Sequence, residues 1–221
     1  MSIIGGTNGF IENDNKYMLL AFTNEEIATD EQCKAWWDGF SDINAIDGLG
    51  EGLRVVVGID QRIGQVPYWK YMVVFGFSGD VEQLKNAVAG HESTADSALW
   101  FYEAIGDTVQ KPWSEQDTEE HIFMALTNVK PGRLAEFTEW YDVEHVPDVV
   151  SVRCYRSGRR FHLEASSGNS PWEFLAIYRF VGPAIEMHEI LTEDLDKLEK
   201  GDAIVTDALV DDDGGWIYSA V

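Results

Sequence analysis

The sequence predicts an α+β fold built from two tandem βαββαβ units whose antiparallel sheets cover one another. Three observations carry this reading. Apolar, strand-like segments of the first half recur in the second half in the same order. Each copy reads strand, helix, strand, strand, helix, strand. A polar, turn-rich stretch separates the copies.

The recurring segments are explicit. Tyr17–Asn24 (YMLLAFTN) is matched by His121–Asn128 (HIFMALTN), Trp69–Gly79 (WKYMVVFGFSG) by Trp172–Gly182 (WEFLAIYRFVG), and Trp100–Ile105 (WFYEAI) by Trp216–Val221 (WIYSAV). The spacing is almost constant for the first two pairs and longer for the third. The acidic stretch Gly201–Gly214 accounts for the difference as an insertion in the second copy. A repeat of this kind fixes the architecture before any single element is assigned.

In the first copy, Tyr17–Phe22 is an apolar strand. Asp30–Asn44 has helical spacing, with Cys33, Trp37 and Phe40 on one face. Leu53–Ile59 is rich in β-branched residues and Trp69–Phe77 is a further strand. Val81–Ala89 is a short helix and Leu99–Ile105 a closing strand. The second copy repeats this order. Its first helix is expected to start near Pro131, a residue suited to the first helical position. Its second helix is expected over Ala184–Lys200 and its last strand over Trp216–Val221.

This is the split βαβ, or ferredoxin-like, arrangement. Helices cover one face of each sheet and leave the other bare and apolar, so two such sheets bury those faces against each other. Gly106–Glu119 carries turn and charge signals and reads as the linker. The halves are then residues 1–110 and 111–221, neither expected to be an independent domain.

Composition bounds the function. The 39 acidic and 16 basic residues leave a formal charge of −23. Such a surface repels phosphate backbones and anionic lipid, which excludes nucleic acid and membranes as main partners. Hydrophobic residues make up 45% and aromatic residues 12% of the chain, enough for a large core and for a cavity that takes a flat apolar molecule. Met1–Lys16 shows no basic segment followed by an apolar one, and no long apolar run exists. Cys33 and Cys154 fit neither a disulfide framework nor a zinc pattern. The expectation is a reduced, cytoplasmic protein, with self-association left open.

The chemistry concentrates in Phe137–Asp148 (FTEWYDVEHVPD), followed by Val152–Phe161 (VRCYRSGRRF). Phe137, Tyr141 and His145 stand four residues apart and share one helix face. Pro147 disfavours helix at Val146, which places the helix end at about His145. The negative end of the helix dipole favours the imidazolium there, and burial opposes it. A histidine so placed suits proton transfer near neutrality. The alternative is a histidine that caps the helix by bonding its free carbonyls. Aligning Trp37-Asp38 with Tyr141-Asp142 sets Ser41 opposite His145, so only the second copy carries the histidine.

Trp140-Tyr141, His145, Pro147 and the Arg159-Arg160-Phe161 run resemble the EthD-like pattern of the dimeric α+β barrel superfamily, W-Y-x-x-x-H-x-P leading into R-R-F. The resemblance covers the second copy. It implies one intrachain dimeric α+β barrel of two ferredoxin-like repeats. The superfamily includes cofactor-free isomerases, polyketide cyclases, small monooxygenases, lyases and haem enzymes, and fold does not choose among them.

The reading adopted is a cofactor-independent lyase, isomerase or cyclase acting on a small aromatic or polyketide-like molecule. His145 would transfer the proton and Tyr141 would donate a hydrogen bond to a substrate oxygen. Trp140 or Trp172 would form an apolar wall, and Tyr155 and Arg159 would contribute to binding, Arg159 as an oxyanion partner. Strand alternation sets Tyr155, Ser157 and Arg159 on one face and Arg156, Arg160 and His162 on the other; pairing with the acidic surface is the alternative role for these arginines. A cofactor-free monooxygenase, a haem enzyme with His188 as axial ligand, and a non-catalytic ligand-binding barrel are the competing readings. His91 and His121 read as surface or core residues. No metal, nucleotide or dinucleotide motif occurs, so no cofactor is assigned.

Overall fold

The computed structural model describes residues 3–4, 15–57, 69–94, 96–112, 120–168, 170, 172–183, 186–196, 208 and 214–220. The first repeat contains β2 (Tyr17–Thr23), α1 (Asp30–Trp37), α2 (Ser41–Asn44), β3 (Leu49–Val57), β4 (Tyr71–Phe77), α3 (Val81–Gly90) and β5 (Ser97–Gln110). The short β1 (Ile3–Ile4) precedes it and pairs in parallel with β3. The second repeat contains β6 (Glu120–Thr127), α4 (Leu134–Trp140), a π-helical turn (Tyr141–His145), α5 (Val146–Ser151), β7 (Tyr155–Ser166), β8 (Phe174–Val181), α6 (Met187–Asp196) and β9 (Gly214–Ala220).

Local chemistry sets the helix starts. Thr29 and Gln32 form a reciprocal capping box at α1, and the Asp80 carboxylate accepts from the Gln83 N–H at α3. Each such cap satisfies backbone donors that the first helical turn leaves open.

The strands run in the order β1-β3-β4-β2-β5-β7-β8-β6-β9, and β3 also pairs with β9. Each repeat therefore lends its last strand to the second strand of the other, through β5–β7 and β9–β3. The sheet closes into a barrel, and closure removes the free edges that two separate sheets would expose.

Three apolar layers follow from strand alternation. The barrel interior holds Leu20, Phe22, Met72, Trp100, Met124 and Trp216, among others. The helices of the first repeat cover a second cluster around Trp37, Phe75 and Phe101. Those of the second cover a third around Phe137, Tyr141, Tyr155 and Tyr178.

Several boundaries differ from the sequence expectation. The Asp30–Asn44 helix is two helices, broken at Gly39. The first helix of the second repeat starts at Leu134, because Gly132 adopts φ 81° after Pro131. Part of the expected linker is strand. β5 runs on to Gln110, and Gly106 takes φ 77° inside a bulge where the pairing shifts between Ile105↔Arg160 and Val109↔Gly158. A glycine that reads as a chain break is here the residue that permits the bulge. β3 begins at Leu49, and Gly58 and Ile59 lie outside the described residues, as do residues 113–119, 184–185, 197–207 and Val221 of the expected linker, helix, insertion and strand. No helix among the described residues is long and apolar enough to cross a membrane.

Candidate functional site

The helix that carries Tyr141 and His145 does not end at Pro147. It widens into a π-turn over Tyr141–His145 and continues as α5 to Ser151. The Val146 N–H donates to the Tyr141 carbonyl, five residues back. In a regular α-helix the Pro147 ring would strike a carbonyl of the preceding turn; the wider turn accommodates it. His145 is therefore inside a continuous helical segment and caps no C-terminus. The helix end expected at His145 lies instead at Ser151.

The imidazole of His145 is half-buried in an aromatic group. It stacks on Trp140 with ring centroids 4.4 Å apart and meets Tyr141 edge-on at 4.8 Å and Tyr178 at 6.5 Å. Tyr141 itself sits edge-on to Phe137 at 5.0 Å. The shared face of Phe137, Tyr141 and His145 is thus turned to β8, where Tyr178 is anchored. Burial, then the neighbouring Tyr141 phenol, pushes the Tyr178 phenol well above its ordinary value. Burial does the same to Tyr155, and both remain neutral phenols at physiological pH.

A pocket of about 420 Å³ opens beside this group, within the size range of small-molecule sites. Its described lining is Gly106, Asp107 and Val109 from β5, Asp142 and Val146 from the helical segment, and Arg160 from β7. Two irregularities border it: the bulge of β5 and the π-turn. Both kinds of irregularity favour functional sites because they re-aim side chains out of a regular ladder. His145 and Tyr141 are not in this lining; they occupy the adjoining face of the same π-turn. A second pocket, of about 450 Å³, lies between α2 and α3 of the first repeat and includes Phe40, Ile43 and His91. It has no arginine, lysine or tyrosine in its described lining, so the site is assigned to the second repeat.

Arg160 links the two parts of the site. Its guanidinium lies 4.6 Å from the Tyr141 ring centroid and 4.9 Å from that of Phe137, and its Nη1 donates to Asp142 Oδ1 at 2.6 Å. The side chain is only 3% exposed.

Strand geometry redistributes the other expected residues. Tyr155 pairs with Phe180 and Ser157 with Arg179, so Arg156 is an extra residue in a bulge. The bulge moves Tyr155 to the helix side, the face that also carries Arg160, against the simple alternation expected. There the Tyr155 hydroxyl donates to Met187 Sδ at 2.9 Å. Arg159 faces the barrel interior, with Nη1 donating to the Asn15 carbonyl at 3.2 Å and its guanidinium over Phe161. Trp172 also lies in the interior, edge-on to Trp100 at 6.1 Å and to Trp216 at 5.8 Å. Trp140, Tyr141, Tyr155 and His145 thus share one side of the sheet, and Arg159 and Trp172 occupy the other. Sequence reading missed Asp142, Tyr178 and the role of Arg160. The one available signal was the Arg159-Arg160 pair, of which alternation allows only one to face the helices. The His188 side chain lies outside the described residues. Among the described residues no three His, Cys, Asp or Glu side chains converge as metal ligands would.

Two solved structures share this architecture. An anthrone oxidase-like protein superposes with a TM-score of 0.54 over 95% of this chain and 92% of its own, at 12% sequence identity. A candidate monooxygenase from Fusobacterium nucleatum subsp. nucleatum does so with a TM-score of 0.52 over 92% and 91%, at 8% identity. The chain has the fold of the dimeric α+β barrels. At these identities the likeness is one of fold. No protein-family model matches the sequence, and no curated protein matches it.

Proposed function

We propose that the protein is a cofactor-independent lyase, isomerase or cyclase of the EthD-like branch, acting on a small aromatic or polyketide-like molecule by proton transfer through His145. The supporting observation is the position of His145, half-buried against Trp140 and Tyr141 on a π-turn that also borders a ligand-sized pocket. The neutral imidazole takes a proton from a carbon beside a carbonyl and leaves an enolate. The Tyr141 hydroxyl donates to the enolate oxygen. Return of the proton to a different carbon completes an isomerisation, and its delivery to a departing hydroxyl completes the loss of water. The Trp140 face supplies an apolar wall. Arg160 stands on this side of the sheet in the place first given to Arg159.

The test is deuterium exchange into small aromatic ketones, anthrone among them, followed by proton NMR in heavy water. Exchange catalysed by the wild type should fall by about 10²–10⁴-fold in His145→Ala, the usual range for a positioned proton-transfer group. Unchanged exchange in a folded His145→Ala protein would remove the assignment.

The names of the two structural neighbours favour a second reading, a cofactor-free monooxygenase. The same deprotonation would deliver an electron-rich carbanion to molecular oxygen, with one oxygen atom entering the product and the other leaving as water. An oxygen electrode separates the two readings: uptake that depends on ketone and on His145 selects the oxygenase. Neither exchange nor uptake with any ketone would leave the ligand-binding barrel.

A further inference from the structure

The two repeats supply an internal comparison. Arg54 lies opposite Val73 across β3–β4, and Arg160 lies opposite Ala176 across β7–β8. Val73 and Ala176 hold the same place in the matched segments Trp69–Gly79 and Trp172–Gly182, so the two arginines are counterparts. Both are buried, at 5% and 3% exposure. In the first repeat both terminal nitrogens are occupied by the chain itself. Arg54 Nη1 donates to the Ile27 and Ala28 carbonyls, and Nη2 to Asp30 Oδ1 at 2.9 Å. That arginine is a brace for the loop before α1.

Arg160 is used differently. Nη1 carries the Asp142 bond and a long contact to the Thr138 carbonyl at 3.4 Å, and the buried Nη2 has no hydrogen-bond partner among the described residues. A guanidinium offers five donors in a planar fork that matches a carboxylate bidentately. Buried donors seldom stay unused, because leaving one unsatisfied is costly. Here the surplus donor belongs to a residue that lines a pocket, and its one carboxylate partner among the described residues, Asp142, is 38% exposed. The pocket between α2 and α3 of the first repeat, at a different place in the fold, has no arginine or lysine in its described lining.

We propose that the pocket binds small organic carboxylates, with Arg160 as anchor and Asp142 as the carboxylate that the ligand displaces. Asp142 holds the guanidinium in the unliganded protein and turns toward solvent when an entering carboxylate takes both terminal nitrogens. Val109 and Val146 flank the ligand's apolar body. The chain's acidic surface opposes the approach of an anion, but that field is screened within about 8 Å at physiological ionic strength, whereas the buried guanidinium acts at contact. The site names the substrate class for the proposed enzyme, a molecule that carries a carboxylate. It rests on that reading only for the use made of the bound anion.

The experiment is calorimetric titration of the full chain with benzoate, with benzyl alcohol as the neutral analogue. Benzoate should bind at least about tenfold tighter than benzyl alcohol, as expected of a charge-assisted contact. Asp142→Asn should tighten benzoate by about tenfold, because a neutral amide competes poorly for the guanidinium. Arg160→Gln should abolish the preference for the anion, and Arg54→Gln should leave it in place. Equal binding of benzoate and benzyl alcohol overturns the proposal. So does an Asp142→Asn protein that binds benzoate no tighter than the wild type, which decides the matter even if Arg160→Gln fails to fold. Benzoate binding retained in His145→Ala separates this site from the proton-transfer assignment, since each can then fail alone.

Discussion

Arg160 and Gly158 show how closely the second repeat is built around one contact. Gly158 lies beneath Tyr178 and α5, and a Cβ there would stand 2.7 Å from Tyr178 Cδ1 and 3.1 Å from Val146 Cγ1. Neither neighbour is a flexible side-chain end: Tyr178 is fully buried and Val146 is fixed by the helix that lines the pocket. Gly158→Ala should therefore cost about 1–3 kcal/mol, the usual penalty of forced overpacking. Denaturant titration measures it. A variant as stable as the wild type would show that α5 can lift from the sheet without loss. The bare Cα of Gly158 is what lets Tyr178 and Val146 close over the same point of β7.

At the scale of elements, β7 joins the two helix layers. Its first half lies under α4 and α5, and its second half reaches α3 of the other repeat. There Glu164 accepts from Lys85 Nζ at 3.0 Å, and its other oxygen contacts His162 Nδ1 at 3.0 Å. Burial alone would raise the Glu164 carboxyl, but the hydrogen bonds from His162 and Lys85 outweigh it and hold the group below its ordinary value of 4.5. The native carboxylate therefore binds its proton less tightly than the unfolded one. Its contribution is complete above 4.5 and is lost as pH falls through the depressed native value. Glu164→Gln should cost about 0.5–1 kcal/mol near neutrality, as for a partly exposed pair. The gap between variant and wild type should close in acid. A gap that persists unchanged at low pH would assign the loss to packing instead of charge.

At the scale of the whole molecule, each repeat completes the other. The last strand of each adds to the sheet of its partner, and the interior faces carry Leu20, Phe22, Met72 and Trp100 from one side and Met124, Ile177 and Trp216 from the other. β5 also crosses far enough to supply Gly106, Asp107 and Val109 to the pocket of the second repeat. We propose that the natural division lies between Gln110 and Lys111, with neither side able to fold alone. Residues 1–110 expressed in isolation would leave the interior face bare, a patch of the kind that drives association. Sedimentation should find that fragment self-associated or insoluble. A monomeric, cooperatively melting fragment would contradict the mutual burial.

What the sequence determined by itself was the repeat, the order of its elements and the shared face of one helix. Matched apolar segments revealed the repeat, their order revealed the topology, and the spacing of Phe137, Tyr141 and His145 put three aromatic rings on one buried face. These are readable because helix and strand periods are properties of the local backbone. Tertiary structure alone decided the rest. Pro147 looked like a helix end until the π-turn, held by packing on β7 and β8, made room for its ring. Tyr155 and Arg159, which simple alternation sets on one face, lie on opposite faces because a bulge at Arg156 shifts the register, and a one-residue shift turns every later side chain to the other side. Trp172 went to the barrel interior for a similar reason: the face a residue meets is set by the strand beside it. The pocket belongs to no segment at all. It exists where a bulge of the first repeat meets a widened turn of the second, a meeting that barrel closure brings about between residues remote in sequence.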